Sequence, residues 1–206
     1  PEAREALPTL RLALNDEDPH FQEPAAAAIG GLGKDGAPAV DDLGKALTEA
    51  KAPEVRRNAA LSLESIGPAA QKAIPQLIQA LRYSDTEADA RYNAVRPYAA
   101  EALAKIQYLD REPYPNAEAE VVAAVLPIIR ADPDPEVRQR CIWSLYYIQN
   151  LDRYKITPVL TGVLSETDAN TALVRYEAAR VLARRLAENA PDKTTDALLD
   201  MLTNKD

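Results

Sequence analysis

An apolar pattern with helical spacing returns five times along this chain, at intervals of 34 to 42 residues, and it limits the fold more than any other feature. In the segment from Val55 to Gly67, apolar residues follow Val55 at +4, +5, +8 and +11, as Ala59, Ala60, Leu63 and Ile66. That spacing lines one face of a helix with period 3.6. The template starts again at Phe21 (Ala25, Ala26, Ile29, Leu32), at Val95 (Ala99, Ala100, Leu103, Ile106), at Val137 (Cys141, Ile142, Leu145, Ile148) and at Val174 (Ala178, Ala179, Leu182). Ahead of each lies a leucine-rich segment with an early proline: Pro8, Pro38, Pro75, Pro127 and Pro158. Proline is tolerated in a first helical turn, where its missing N–H would have no partner. Pro127 sits deeper if its helix begins near Asn116, so a kink is expected there.

Intervals of this length suit units of two helices, each unable to bury its apolar face alone and therefore stacked on its neighbours. The expected fold is all-α, an alpha-alpha superhelix of about five helix pairs. One further helix is expected over Thr194–Leu202, which makes eleven. Residues 1–206 are expected to form a single solenoid domain. The chain opens inside a first-helix pattern at Arg4 to Leu14 and closes on an unpaired helix, so it is expected to be a portion of a longer array, or to be capped by something else.

Composition agrees with helices and excludes several function classes. Seven glycines and one phenylalanine argue against a sheet-rich fold, and alanine costs a helix least. The net charge of −8 leaves little support for nucleic acid, which requires a clustered positive surface, or for an anionic membrane. No run of 18 apolar residues is present, so no membrane insertion is expected. A single cysteine, Cys141, excludes an intrachain disulfide and fits a reducing compartment such as the cytoplasm. No signal peptide is visible, although a chain that begins at Pro1 can have lost a leader.

Short acidic loops connect the members of four of the pairs, at Asn15–Asp18, Asp85–Asp89, Asp132–Pro135 and Glu166–Asp168. Acidic residues cap helix N-termini, and none of these loops has the spaced carboxylates and glycine of a calcium loop. The glycine-rich run from Gly30 to Gly33 follows an alanine helix and lacks the Lys-Ser/Thr of a phosphate loop, so it reads as a loosened helix end with a C-cap. One connection, Tyr108 to Pro115, is unusually long for adjacent helices.

The run from Pro53 to Gly67, and that from Asp134 to Arg138, resemble HEAT repeats, most closely the short bacterial type that includes phycobilin lyases. The resemblance covers nearly the whole chain. It implies a helical solenoid whose second helices line the concave side. It also implies that the residue after each anchor, often Arg in this family, reaches toward acidic groups of adjoining repeats. Arg56, Arg96, Arg138 and Arg175 occupy that position, and Gln22 replaces it in repeat one, so a ladder of such arginines is expected to stop short of that repeat.

Catalytic machinery is not evident. His20 is the single histidine, in a turn, and one histidine does not make a His-rich metal site. Cys141 falls at a core position and reads as a buried thiol. No cofactor is expected. On the helical wheel, positions +2, +3, +6 and +10 point away from the core. They carry Tyr98, Glu101, Arg140, Trp143, Tyr147 and Arg180, the expected binding face for a protein or peptide partner. Tyr, Trp and Arg are enriched in binding hot spots. Alternatively, Trp143 packs on a neighbouring helix or on the Tyr108–Pro115 segment. The leading function is a non-catalytic interaction scaffold; the alternatives are a lyase or chaperone acting on a tetrapyrrole and a structural spacer. The oligomeric state is not specified by the sequence.

Overall fold

A computed structural model of the chain describes residues 5–82, 95–106, 117–146, 148 and 155–189. Among these, ten α-helices and three short 3-10 segments are present and no strand. Each of the first ten expected helices is found; the expected helix Thr194–Leu202 and the Tyr108–Pro115 connection lie outside the described residues, as does the acidic loop at Asp85–Asp89. The chain divides into two compact units, residues 1–124 and 125–206.

In the first unit, α1 (Leu7–Leu14), α3 (Val40–Glu49) and α5 (Ile74–Leu81) are the first helices of their pairs, and α2 (Pro19–Gly31), α4 (Pro53–Ile66) and α6 (Arg96–Ile106) are the second. Each second helix packs on its first helix, α2 packs on α4, and α4 packs on α6; α1 likewise meets α3, and α3 meets α5. Two rows of helices result. α7 (Ala117–Ala131) crosses from residues of the first unit into the second. The second unit continues with α8 (Pro135–Ser144), α9 (Ile156–Leu164) and α10 (Ala172–Asn189), where α10 packs on both α8 and α9.

The template residues form the core. Leu63, Leu103, Ile106 and Leu145 are fully enclosed, and Ile66 and Leu182 are buried. Anchors Val55, Val95, Val137 and Val174 are buried too, but Phe21 is 57% exposed. All the described anchors near a helix start share one register: Phe21, Val55, Val137 and Val174 are each the third residue of their helix. The difference therefore lies in the side chain, because the slot that encloses an isopropyl group elsewhere cannot take a phenyl ring.

Helix ends follow local chemistry. The Asp18 carboxylate accepts from the His20 amide at 2.9 Å, and that of Asp134 accepts from Glu136 at 2.8 Å and Val137 at 3.4 Å. Pro19, Pro53 and Pro135 open α2, α4 and α8. Pro8, Pro75 and Pro158 lie in first turns as expected, whereas Pro38 falls in the 3-10 segment before α3. A tight 3-10 turn also tolerates a residue with fixed φ and no N–H. Pro127 lies inside α7. At the end of α4, Gly67 has φ +68°, a conformation strained for any residue with a Cβ, and it accounts for the abrupt stop there.

Where repeats approach closely, small residues make room. A Cβ on Gly30 of α2 would stand 2.4 Å from Ser62 Oγ and 3.0 Å from Ser62 Cα on α4. Ser62 Oγ uses that proximity to donate to the Ala26 carbonyl at 2.7 Å. The buried hydroxyl is satisfied by a neighbouring helix, which ties α4 to α2.

Candidate functional site

The arginines after the anchors share one kind of partner, a backbone carbonyl near the end of the preceding helix. Arg56 Nη1 donates to the Ala50 carbonyl at 2.7 Å, Arg96 Nε to Leu81 at 3.1 Å, and Arg138 Nε to Ile129 at 2.8 Å. Arg175 Nη1 donates to the carbonyls of Glu166 and Asp168, both at 2.9 Å. The carbonyls of Ala50, Leu81 and Ile129 lie in the last turn or at the C-cap of the preceding helix, where carbonyls lack an intrahelical partner and the dipole is negative, whereas those of Glu166 and Asp168 lie in the turn that follows α9. The recurrent role is thus to cap the first helix of the same repeat. Arg138 also reaches the expected acidic partner in the adjoining repeat, donating through Nη1 and Nη2 to both carboxylate oxygens of Glu166.

Repeat one keeps the function with a different side chain. Gln22 Nε2 donates to the Asp16 carbonyl, just beyond α1, at 2.6 Å. The arginine ladder ends there as the residue types require, but the capping donor does not. An amide and a guanidinium both offer N–H groups to a carbonyl, so either satisfies the helix end.

The six residues expected on the binding face fall into two groups. Tyr98 and Glu101 lie on α6 in the first unit, both half-buried. Arg140 and Trp143 on α8, together with Arg180 on α10, lie in the second unit and are also half-buried. Tyr147 lies outside the described residues. Half-burial is greater than a simple wheel suggests. Within a row, each second helix is flanked by its counterparts, so positions away from the core still meet neighbouring helices. Glu177 shows this most clearly: it occupies an outward position, yet it is 8% exposed.

The second group lies on α8 and α10, which pack directly together. Arg140 donates to the Glu136 carboxylate one turn earlier, at 2.9 Å. Arg180 Nε donates to Glu177 at 2.9 Å. The centre of the patch is Tyr146, which the template did not single out. The Arg180 guanidinium stands 4.8 Å from its ring centroid and that of Arg184 stands 4.5 Å away. Arg184 Nη1 also donates to the Tyr146 carbonyl at 2.9 Å. Arg184 was legible as an outward +10 position, but Tyr146 lies at +9, beside the core arc, and no single-helix pattern marks it. Its signal is a pairing between repeats, visible only once the register of α8 against α10 is known.

The matches to known families settle the family. The description "HEAT repeats" fits residues 122–206, and "PBS lyase HEAT-like repeat" fits residues 55–83. The chain is a HEAT-repeat protein. No curated protein matches it significantly. Among solved structures, the HEAT-repeat chain is similar to an engineered protein, with TM-score 0.65, 23% identity and coverage of 100% of this chain and 91% of that one. It is also similar to a computationally designed armadillo repeat protein for modular peptide recognition, with TM-score 0.64, 16% identity and coverage of 97% and 92%. Another designed armadillo repeat protein, solved in complex with the peptide (KR)4, gives TM-score 0.52, 16% identity and coverage of 96% and 99%. These likenesses establish an all-α HEAT/armadillo-like solenoid fold.

Cys141 of this HEAT-repeat chain is fully buried, and His20 is exposed at the start of α2. Among the described residues, no three His, Cys, Asp or Glu side chains are placed to hold a metal ion. No described helix is long and apolar enough to cross a membrane.

Proposed function

We propose that this protein is a non-catalytic scaffold that binds a peptide or protein partner on the outward face of its second helices, with the α8–α10 patch as an anchor. One observation carries the reading. Arg180 and Arg184 of α10 both stack on Tyr146 at the end of α8, Trp143 precedes Tyr146 by three positions, and Tyr, Trp and Arg dominate binding hot spots. Rigid aromatics and stacked guanidiniums lose little side-chain freedom on binding, which favours affinity. Tyr98 and Glu101 offer a further contact surface on the first unit. Two proteins that share this fold are described as made for peptide recognition or bound to a peptide, which supports the scaffold reading.

A peptide library presented to the full chain tests this reading. Binders should be recovered, and Trp143→Ala should weaken them by about 2 kcal/mol or more. Failure to recover any binder, or affinity unchanged in a folded Trp143→Ala variant, would contradict it.

A second reading has its own support. The match of residues 55–83 to the PBS lyase HEAT-like repeat favours a tetrapyrrole-handling role. Incubation with a bilin should then change the pigment's absorbance spectrum; an unchanged spectrum eliminates this alternative.

A further inference from the structure

We infer that the α8–α10 patch selects acidic peptide segments that also carry an apolar or aromatic residue. This inference rests on the scaffold reading and adds the chemistry of the partner. Two cations share one ring in this patch, with Arg180 and Arg184 both within 5 Å of the Tyr146 centroid. Ring stacking attracts each guanidinium, and the Glu177 carboxylate already offsets part of the charge of Arg180. A carboxylate that approaches both guanidiniums gains charge-assisted hydrogen bonds.

The two arginines are held ready for such a ligand. Glu177 fixes the Nε–Nη2 side of Arg180, while the Arg180 side chain remains 38% exposed. The Tyr146 carbonyl fixes Arg184. Their forks therefore have defined directions before any ligand arrives, which reduces the ordering cost of binding.

An apolar contact lies along the same stripe of α10. Leu173 and Tyr176 are 62% and 56% exposed. Residues 173, 176, 180 and 184 follow spacings of three and four and so share one helix face. Apolar groups at one end and paired cations at the other complement a segment with an apolar residue next to carboxylates. Net charge favours a peptide over the other anionic macromolecules. The chain carries −8 overall, so a long polyanion or an anionic membrane would meet repulsion beyond this local patch. The likeness to a structure bound to (KR)4 concerns the fold, and its peptide has the opposite charge to the one inferred here.

Fluorescence anisotropy with the full chain tests the inference. The probe is a labelled peptide of glutamates around one phenylalanine and one leucine. Comparators are the same peptide with lysine for glutamate, (KR)4, single-stranded DNA and anionic phosphatidylserine vesicles. The acidic peptide should bind at least about tenfold more tightly than every comparator, with affinity that falls as salt rises. Arg180→Gln/Arg184→Gln should cost about tenfold or more, and Arg11→Gln in the first unit should change affinity less than about twofold. If the double variant does not fold, Arg180→Gln alone should still cost about threefold or more. Equal or tighter binding of any comparator, salt-independent affinity, or unchanged affinity in the Arg180 and Arg184 variants would overturn the inference. Library binders that depend on Trp143 but show no acidic preference would leave the scaffold reading intact while defeating this one.

Discussion

The two units apply one core rule and carry different surfaces. In the first, α2 exposes Pro24, Ala27, Ala28 and Gly31, and α4 presents Asn58, Leu61 and Ser65 at its outward template positions. Lys105 on α6 closes an ion pair with Glu64 on α4. Most of the chain's negative charge also lies in residues 1–124. The second unit places Arg140, Trp143, Tyr146, Arg180 and Arg184 on α8 and α10 or at their ends. Both units nevertheless bury the same template positions and use a side-chain donor after the anchor to cap the preceding helix. The core positions and their caps build the repeat, whereas the outward positions vary without disturbing it. Function is therefore to be sought where the repeats differ.

The largest test of this comparison concerns the shared core. Leu63→Ala in the first unit and Leu145→Ala in the second should each cost about 2–5 kcal/mol in denaturant melts. A cost below about 0.5 kcal/mol for either would show that the template does not govern that unit.

The capping donors should separate next. Arg138 holds both the Ile129 carbonyl and the Glu166 carboxylate, and its side chain is 9% exposed. Arg138→Ala leaves a carbonyl and a half-buried carboxylate without their donor, so a loss of about 2 kcal/mol or more is expected. Gln22→Ala removes one neutral hydrogen bond and should cost about 1 kcal/mol. Equal losses at the two positions would contradict the assignment of a second, charged contact to Arg138.

The smallest effect contrasts two adjacent glycines of α2. Gly30→Ala drives a Cβ into Ser62 and should cost about 1–3 kcal/mol. Gly31 has nothing within 4 Å of its would-be Cβ, so Gly31→Ala should be neutral or stabilise by up to about 1 kcal/mol. Thermal melts of both variants check the sign, and destabilisation by Gly31→Ala alone would place the helix contact at the wrong residue.

Much of this architecture was legible because a single helix records its buried face directly. The spacing after Val55 located the core, and the acidic loops located the caps at Asp18 and Asp134. Features set by contacts between helices were less accessible. Phe21 follows the spacing but not the size of its slot, and Glu177 faces away from its own core yet is covered. The arginine series was recognisable by position, while its carbonyl partners depend on where the preceding helix stops. Arg140, Trp143 and Arg180 were singled out from the wheel; Tyr146 was not, because its significance arises from arginines nearly forty positions later in the chain.

The central claim is that the outward face of α8 and α10 binds a partner and is separable from the core that builds the fold. The most direct test measures peptide affinity and the thermal melt together for Trp143→Ala. The claim predicts a folded variant with a cooperative melt and undiminished helicity, and an affinity about thirtyfold weaker, equivalent to about 2 kcal/mol. A sharply lowered melting temperature with affinity retained would make Trp143 part of the packing and contradict the claim.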